Sequence, residues 1–129
     1  MAWIENRQGE VLLVRQATGS RRWALPGGKV KRSEPLSLAL KREVKEETGL
    51  IVASLEPVEI LKRSPSKLTV LFLVETVRPK TGWKIKATSE ILGGRFCKKL
   101  PTPATMTAKH FWDTQRFASA VAFESSLAQ

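Results

Sequence analysis

The sequence predicts a layered α/β (α+β) domain in which a β-sheet is covered by helices. Short apolar or alternating segments separated by Gly and Pro recur along the chain, which is typical of strands. Two longer segments, 33–48 and one beginning near Met106, instead have apolar residues at helical spacing. Strands interspersed with two helices pack as layers. The 129 residues are expected to form one domain over 1–129.

Three strands are predicted ahead of the first helix: AWIEN (2–6), EVLLVRQ (10–16) and RWAL (22–25). Gln8-Gly9 supplies the turn between the first two strands, and Pro26-Gly27-Gly28 ends the third. Bare glycine backbone at that end lets a ligand or an ion approach closely.

The first helix is expected over 33–48 because good boundary residues lie at both of its ends. Ser33 can cap the N-terminus, and Pro35 suits the first turn. Gly49 supplies the C-terminal stop.

The remainder of the chain predicts further strands and a final helix. LTVLFLVETV is apolar enough for a central strand that is covered on both faces. After the first helix, the strand IVASL is expected to continue past a break or bulge at Pro57 as VEIL, followed by the loop KRSPSK and then by LTVLFLVETV. The turn RPKTG leads into the short hairpin strand WKIKA, and the strand GRFCKKL follows. The connector LPTPAT precedes a final helix that contains Met106, Phe111, Phe117 and Val121.

The chain is strongly basic, with 22 Lys and Arg against 12 Asp and Glu and a formal net charge of +10. Such a surface attracts nucleotides and other polyanions, or simply keeps the protein solvated. The basic residues are scattered, without interleaved aromatic residues, so nucleic acid is a less favoured partner than a nucleotide-type small molecule.

Cysteine usage and hydropathy indicate a cytoplasmic protein. Cys97 is the only cysteine, so no disulfide can form within the chain, and a small core residue is the simplest role for it. The N-terminal segment lacks the pattern of a signal peptide. The longest apolar run, Val70–Val74, is too short to span a bilayer, and no membrane partner is expected.

Four of the twelve acidic residues lie between Gly27 and Leu50: Glu34, Glu43, Glu46 and Glu47. A helical projection places the last three in the same arc as three apolar residues of the preceding turns, Leu36, Ala39 and Leu40. Lys41 and Lys45 point away from this arc, and Arg42–Glu46 is the only favourable i,i+4 pair.

Three carboxylates at the end of a helix are unfavourable without cations. They repel one another, and the helix macrodipole disfavours each by about 0.3–1 kcal/mol. Carboxylate oxygens on one face suit hard divalent ions, so the pattern predicts a site for Mg²⁺, with Mn²⁺ as the alternative.

The spacing of these residues resembles the box of the Nudix hydrolase family, G-x5-E-x7-R-E-U-x-E-E-x-G-U, where U is a bulky apolar residue. Gly28, Glu34 and the segment from Arg42 to Leu50 satisfy every fixed position. Two unfixed positions depart from the usual residues: Ser33 stands where the family often has Gly, and Pro35 replaces a small polar residue.

This resemblance implies a Nudix-like α/β/α sandwich, with a mixed, curved sheet between helices. It also implies Mg²⁺-dependent hydrolysis of a nucleoside diphosphate linked to another group. Glu43, Glu46, Glu47 and the backbone carbonyl of Gly28 would hold the metal. Glu43, or an acid outside the box, would be the general base. Arg42 would position a glutamate, and Glu34 would support the loop.

Substrate selection is expected to lie outside the box. Arg15, Arg22 and Trp23 flank the glycine turn and are candidates to bind substrate. Glu90, in TSEIL, resembles a downstream acid that some relatives use as a base or ligand. Candidate substrates are nucleotide sugars such as ADP-ribose, (d)NTPs, dinucleoside polyphosphates and triphosphorylated RNA ends.

Two other functions remain open on the sequence. An RNA 5′-end pyrophosphohydrolase or RNA-binding protein would use the basic surface, with binding that falls steeply as salt rises. A noncatalytic nucleotide sensor would bind its ligand without turnover, although sensors tend to lose the glutamates. The protein is expected to be a monomer or a homodimer.

Overall fold

The computed structural model describes residues 1–28, 30–77 and 83–127. Along the chain its elements are β1 (Ala2–Trp3), β2 (Val11–Gln16), β3 (Trp23–Ala24), α1 (Leu36–Thr48), β4 (Ile51–Ser64), β5 (Lys67–Val77), β6 (Ile91–Cys97) and α2 (Met106–Leu127). Strands with two helices confirm the predicted α+β class.

The strands form two three-stranded sheets, in the orders β1-β5-β4 and β3-β2-β6. β1 pairs with β5 in parallel, and the other pairings are antiparallel. The N–H of Leu12 donates to the carbonyl of Ile4 over 2.9 Å, and an antiparallel bridge joins Glu5 to Val11. These contacts join the two sheets into the mixed strand layer that was predicted.

Alternation along β2 shows how helices cover both faces of that layer. Val11 and Leu13 are fully buried in one core cluster with Phe111 of α2. Leu12 is fully buried in a second cluster with Leu40 and Val44 of α1. Because successive side chains of a strand point to opposite faces, this division sets one helix on each side. Burying such an aliphatic side chain stabilises the fold by about 1.5–3 kcal/mol.

The second helix packs through its first turns. Ala108, Phe111 and Trp112 are buried, and the rings of Trp112 and Trp3 lie 5.6 Å apart. Farther along, residues 117–122 are exposed. Cys97 is buried in the same cluster, as predicted. No helix within the described residues is both long and apolar enough to cross a membrane.

The predicted N-terminus of the first helix was wrong. α1 begins at Leu36 with Pro35 in the cap position, and no side chain makes a capping hydrogen bond. Ser33 has φ +64°, so it belongs to a turn ahead of the helix. Leu36, which belongs to the apolar arc of the helical projection, is 43% exposed, and the buried stripe begins at Ala39.

Several strand boundaries also differ from the prediction. The bulge expected at Pro57 is present within β4. However, β4 and β5 extend almost to their shared turn, so the polar loop 62–67 shrinks to residues 65–66. AWIEN keeps ladder pairing only at Ala2–Trp3, apart from the bridge at Glu5. The last strand, Ile91–Cys97, begins and ends three residues before the predicted strand GRFCKKL.

The predicted strand WKIKA is not formed, because residues 83–88 pair with no strand. Trp83 and Ile85 are half-buried, and they pack against the second core cluster. Side-chain packing, and no ladder of backbone hydrogen bonds, therefore holds this segment against the sheet. The predicted turn RPKTG lies outside the described residues.

Candidate active site

The acidic half of α1 is fixed by the way the helix packs and ends. Ala39, Leu40 and Val44 are buried against the sheet, which sets the rotation of the helix about its axis. At its end, the Thr48 hydroxyl donates to the carbonyl of Val44 over 2.6 Å. Gly49 then adopts the left-handed conformation, φ +75°, and its N–H donates to the carbonyl of Lys45 over 2.9 Å.

The glycine turn after β3 lies directly against two of the glutamates. The N–H of Gly27 donates to Oε2 of Glu47 over 3.1 Å. At Gly28 a β-carbon would lie 2.7 Å from Oε2 of Glu43, closer than real contacts allow. The turn and the helix therefore meet through carboxylate oxygens on glycine backbone.

Arg42 ties three acids of the box together. Its Nε and Nη2 donate to the two carboxylate oxygens of Glu34, each over 2.9 Å. Its Nη1 donates to Glu43 over 2.8 Å and to Glu46 over 3.2 Å. The fork-to-carboxylate geometry with Glu34 is the strong, directional form of an ion pair.

Glu34 links this network to the loop ahead of α1. Its Oε1 accepts a hydrogen bond from the N–H of Lys31 over 3.1 Å. The hydrogen bond from Arg42, together with that from Lys31, lowers the pKa of Glu34 to about 2. The carboxylate thus stays ionised over the ordinary pH range and holds the loop to the helix.

Glu47 has the opposite electrostatic environment. Burial is the main cause that raises the pKa of its carboxyl to about 8. The hydrogen bond from Gly27 opposes this shift, whereas the neighbouring Glu43 and Glu90 add to it. A crowded, poorly solvated group of carboxylates favours either a proton or a bound cation.

Glu90 reaches the same place from a different part of the chain. Its N–H and that of Ile91 donate to the Thr88 hydroxyl over 3.2 and 3.0 Å, which forms a tight turn. The N–H of Ala17 donates to the Glu90 carbonyl over 2.8 Å. Glu90 precedes β6 directly, so the sheet and this turn together set its position.

These groups line one cavity of about 670 Å³, here called the acidic cavity. It brings together Gly28, Glu43, Glu47, Glu90 and, of the proposed substrate-binding residues, Arg22. Gln16 and the loop residues Thr18, Gly19 and Ser20 complete its polar wall.

Arg15 and Trp23, which were also candidates to bind substrate, do not line the acidic cavity. Trp23 packs against the core cluster on the α2 side, with the guanidinium carbons of Arg15 and Arg95 5.8 and 5.0 Å from its ring centre. Its neighbour in sequence, Arg22, lines the acidic cavity instead, because successive side chains along extended backbone point to opposite sides.

Glu46 is also set apart from the other box glutamates. Its side chain is 58% exposed and pairs with Arg42, while the Glu43 side chain is only 13% exposed. Among the described residues, no three Asp, Glu, His or Cys side chains converge as a ready-made metal site. Glu43 and Glu46 each use one oxygen to accept from Arg42, whereas Glu47 accepts from the N–H of Gly27.

The donor set nevertheless fits a hard divalent cation. Glu43 lies close enough to Glu47 to disfavour the charged form of Glu47, an effect that a bound cation would relieve. All available donors are oxygens, as Mg²⁺ and Mn²⁺ prefer. Because Gly28 has no β-carbon, its backbone can lie directly beside the Glu43 carboxylate.

The structure adds two residues, Thr88 and Ala17, that were not singled out from the sequence. Thr88 and Ala17 position Glu90, and neither has a sequence signal that marks it. Trp83 donates from Nε1 to the carbonyl of Thr48 over 2.9 Å, next to the box glutamates. Its pairing with the end of α1 depends on a contact across 35 positions of sequence.

Comparisons with known proteins agree with this fold and box. The NUDIX domain profile matches residues 1–108. The 8-oxo-dGDP phosphatase NUDT18 of Mus musculus is 36% identical over 111 residues, which are 80% of this chain and 33% of that protein. The NUDT18 of Homo sapiens is 38% identical over 92 residues, 70% of this chain and 27% of that protein.

The matched segment thus spans between about a quarter and a third of the length of these curated relatives. Among solved structures, the MutT NUDIX hydrolase from Burkholderia pseudomallei superposes with a TM-score of 0.63 at 20% identity. That match covers 84% of this chain and 94% of the other and supports the fold alone. From the profile over residues 1–108 and the complete box, we conclude that the chain belongs to the NUDIX domain family.

Proposed function

We propose that this protein is a Mg²⁺-dependent pyrophosphohydrolase that cleaves the diphosphate linkage of a nucleotide. The observation that carries the proposal is the meeting of Gly28, Glu43, Glu47 and Glu90 in one cavity. Membership of the NUDIX family and similarity to relatives named as phosphatases of 8-oxo-dGDP support it.

Water supplies the nucleophile. Its oxygen attacks one phosphorus of the linkage in line, the anhydride P–O bond breaks, and the departing phosphate carries the bonding electrons. When bound, Mg²⁺ would neutralise the anionic oxygens of the linkage and lower the pKa of the attacking water.

The chain's own residues hold the cation, accept the proton of the water and position the carboxylates. Glu43, Glu46, Glu47 and the backbone carbonyl of Gly28 are the proposed holders of the cation. Glu43 or Glu90 takes the proton from the water, a step that contributes about 10²–10⁴-fold. Arg42 is a positioning residue, since it reaches three of the acids but not the cavity.

The substrates to test first are oxidised purine nucleotides. The relatives at 36–38% identity are named for 8-oxo-dGDP, and the cavity wall of Arg22, Gln16 and hydroxyl-bearing loop residues suits a polar, anionic ligand. ADP-ribose, (d)NTPs and dinucleoside polyphosphates share the same scissile linkage and belong in the same panel.

The test measures products from that panel, and from triphosphorylated RNA, by ³¹P NMR and chromatography in the presence and absence of Mg²⁺. Glu43→Gln should lower kcat by at least about 10²-fold while the fold is retained. Glu124→Gln, on the exposed end of α2, is the matched control. Full turnover by Glu43→Gln, or nucleotide binding by the wild type without any turnover, would contradict the proposal.

A further inference from the structure

A second cavity, of about 540 Å³, adjoins the acidic cavity at the C-terminal end of α1. We call it the lysine cavity, because its lining contains an indole and three ammonium groups beside two box glutamates: Trp83, Lys45, Lys84, Lys86, Glu46 and Glu47. Glu47 lines both cavities. The two cavities therefore lie next to each other at this carboxylate.

The outer wall of the lysine cavity is held in place at two points. Trp83 donates from Nε1 to the carbonyl of Thr48, the last residue of α1. Ile85 lies over Gly94 of β6, where a β-carbon would come within 2.5 Å of its Cδ1. With Trp83 and Ile85 turned inward, Lys84 and Lys86 alternate to the exposed side.

The ammonium groups on this wall are available to a ligand. Lys45, Lys84 and Lys86 are exposed. Among the ion pairs of the described residues, none involves any of these three lysines. Screening of Glu46 and Glu47 is the competing role for them, since a helix C-terminus and carboxylates both attract cations.

From this arrangement we infer that the lysine cavity is a subsite for one further phosphate group, beyond the scissile diphosphate linkage. Such a subsite would make the protein bind nucleotides with three or more phosphates more tightly than nucleoside diphosphates. The inference rests on the proposed function, because the scissile linkage must lie at the box glutamates for the phosphate chain of the ligand to continue past Glu47. Lysines act here as mobile point charges, which suits a terminal phosphate.

The experiment is equilibrium binding with Mg²⁺ of two non-hydrolysable ligands, the α,β-methylene analogues of a deoxynucleoside diphosphate and the corresponding triphosphate. The double variant Lys84→Gln/Lys86→Gln should bind the triphosphate analogue roughly three- to tenfold more weakly, which is the effect expected from two exposed charge pairs. Its affinity for the diphosphate analogue should change less than twofold.

The matched control removes the same charge elsewhere. Lys67 and Lys109 are exposed and line neither cavity, so Lys67→Gln/Lys109→Gln should leave the ratio of the two affinities unchanged. If the control lowers the ratio as much, the effect is general attraction and the subsite is refuted. An equal loss for both analogues, or no loss for either, also overturns the inference.

A second variant tests the wall itself. Ile85→Ala removes the side chain that holds the wall against Gly94 and should lower the same affinity ratio while all three lysines remain. Binding of these analogues requires no turnover. Absence of hydrolysis would therefore refute the proposed activity, whereas an unchanged ratio in an active enzyme would refute the subsite alone.

Discussion

Gly28 and Glu43 lie so close that a β-carbon on the glycine would sit 2.7 Å from Oε2 and 2.8 Å from Cδ of the glutamate. These residues are fifteen positions apart, one in a turn and the other on a helix. The glycine therefore leaves the Glu43 carboxylate in place, because a β-carbon here would push it aside. Its φ lies outside the left-handed range that disfavours L side chains, so contact with Glu43 is the cost of a substitution.

Gly28→Ala should displace the Glu43 carboxylate and lower kcat/KM by about 10²-fold, the usual effect of a small misplacement at a catalytic centre. Steady-state kinetics and thermal unfolding, measured side by side, would test this. Gly9→Ala is the control: φ is +77° there with open space around it, so stability should fall while activity is kept. Equal activity losses in the two variants would contradict the steric explanation.

Arg42→Lys should lower kcat/KM by about 10- to 100-fold, although charge is conserved. Lysine lacks the planar fork that holds both oxygens of Glu34 and also reaches Glu43. The fall should occur mainly in kcat, because Arg42 positions carboxylates and does not line the acidic cavity. Kinetics with the best substrate of the panel test this. A change confined to KM would instead indicate direct contact with substrate.

Glu34 should contribute to stability near neutral pH and lose that contribution in acid. Its pKa is about 2 in the folded protein and near 4.5 as a free side chain, so the folded state favours the ionised form. The contribution is present above pH 4.5 and is lost as the pH falls through about 2. Urea unfolding of wild type and Glu34→Gln should give free energies that differ most near pH 7 and converge by about pH 2. Parallel curves, with a constant difference at every pH, would exclude ionisation of Glu34 as the cause.

Arg22→Gln and Trp23→Ala should have opposite consequences, although the residues are adjacent. Arg22 lines the acidic cavity, so its loss should raise KM about two- to fivefold, as for one exposed charge contact, with stability unchanged. Trp23 packs on the α2 side of the sheet, so its truncation should lower the free energy of unfolding by about 2–4 kcal/mol. Kinetics and urea unfolding on both variants test this. A rise in KM for Trp23→Ala without loss of stability would return Trp23 to the substrate site.

The fold class and the helix bearing the glutamates could be predicted because they depend on local patterns. The spacing of Ala39, Leu40 and Val44 matches the period of a helix, and Gly49 takes the left-handed conformation expected at a helix end. Arg42–Glu46 forms the predicted i,i+4 pair. Such features are set by residues within one or two turns of each other.

The start of α1 and the segment 83–88 could not be predicted in the same way. Ser33 is a good capping residue, but the loop that contains it is held by Glu34 and Arg42, and the helix begins three residues later. WKIKA alternates like a strand, yet Trp83 bonds to Thr48 and Ile85 packs over Gly94. In both cases contacts with distant residues outweigh local preference.

The box itself, with its carboxylates, its arginine and its glycine, is visible in the order of residues, because its chemistry lies within 23 consecutive positions. Which other residues join it is a matter of packing. Glu90 and Arg22 reach the acidic cavity, Trp23 turns to the far face of the sheet, and Lys84 and Lys86 gather beside Lys45. Side-chain direction along a strand alternates from one residue to the next, so the pairing of strands and helices decides which neighbours share a site.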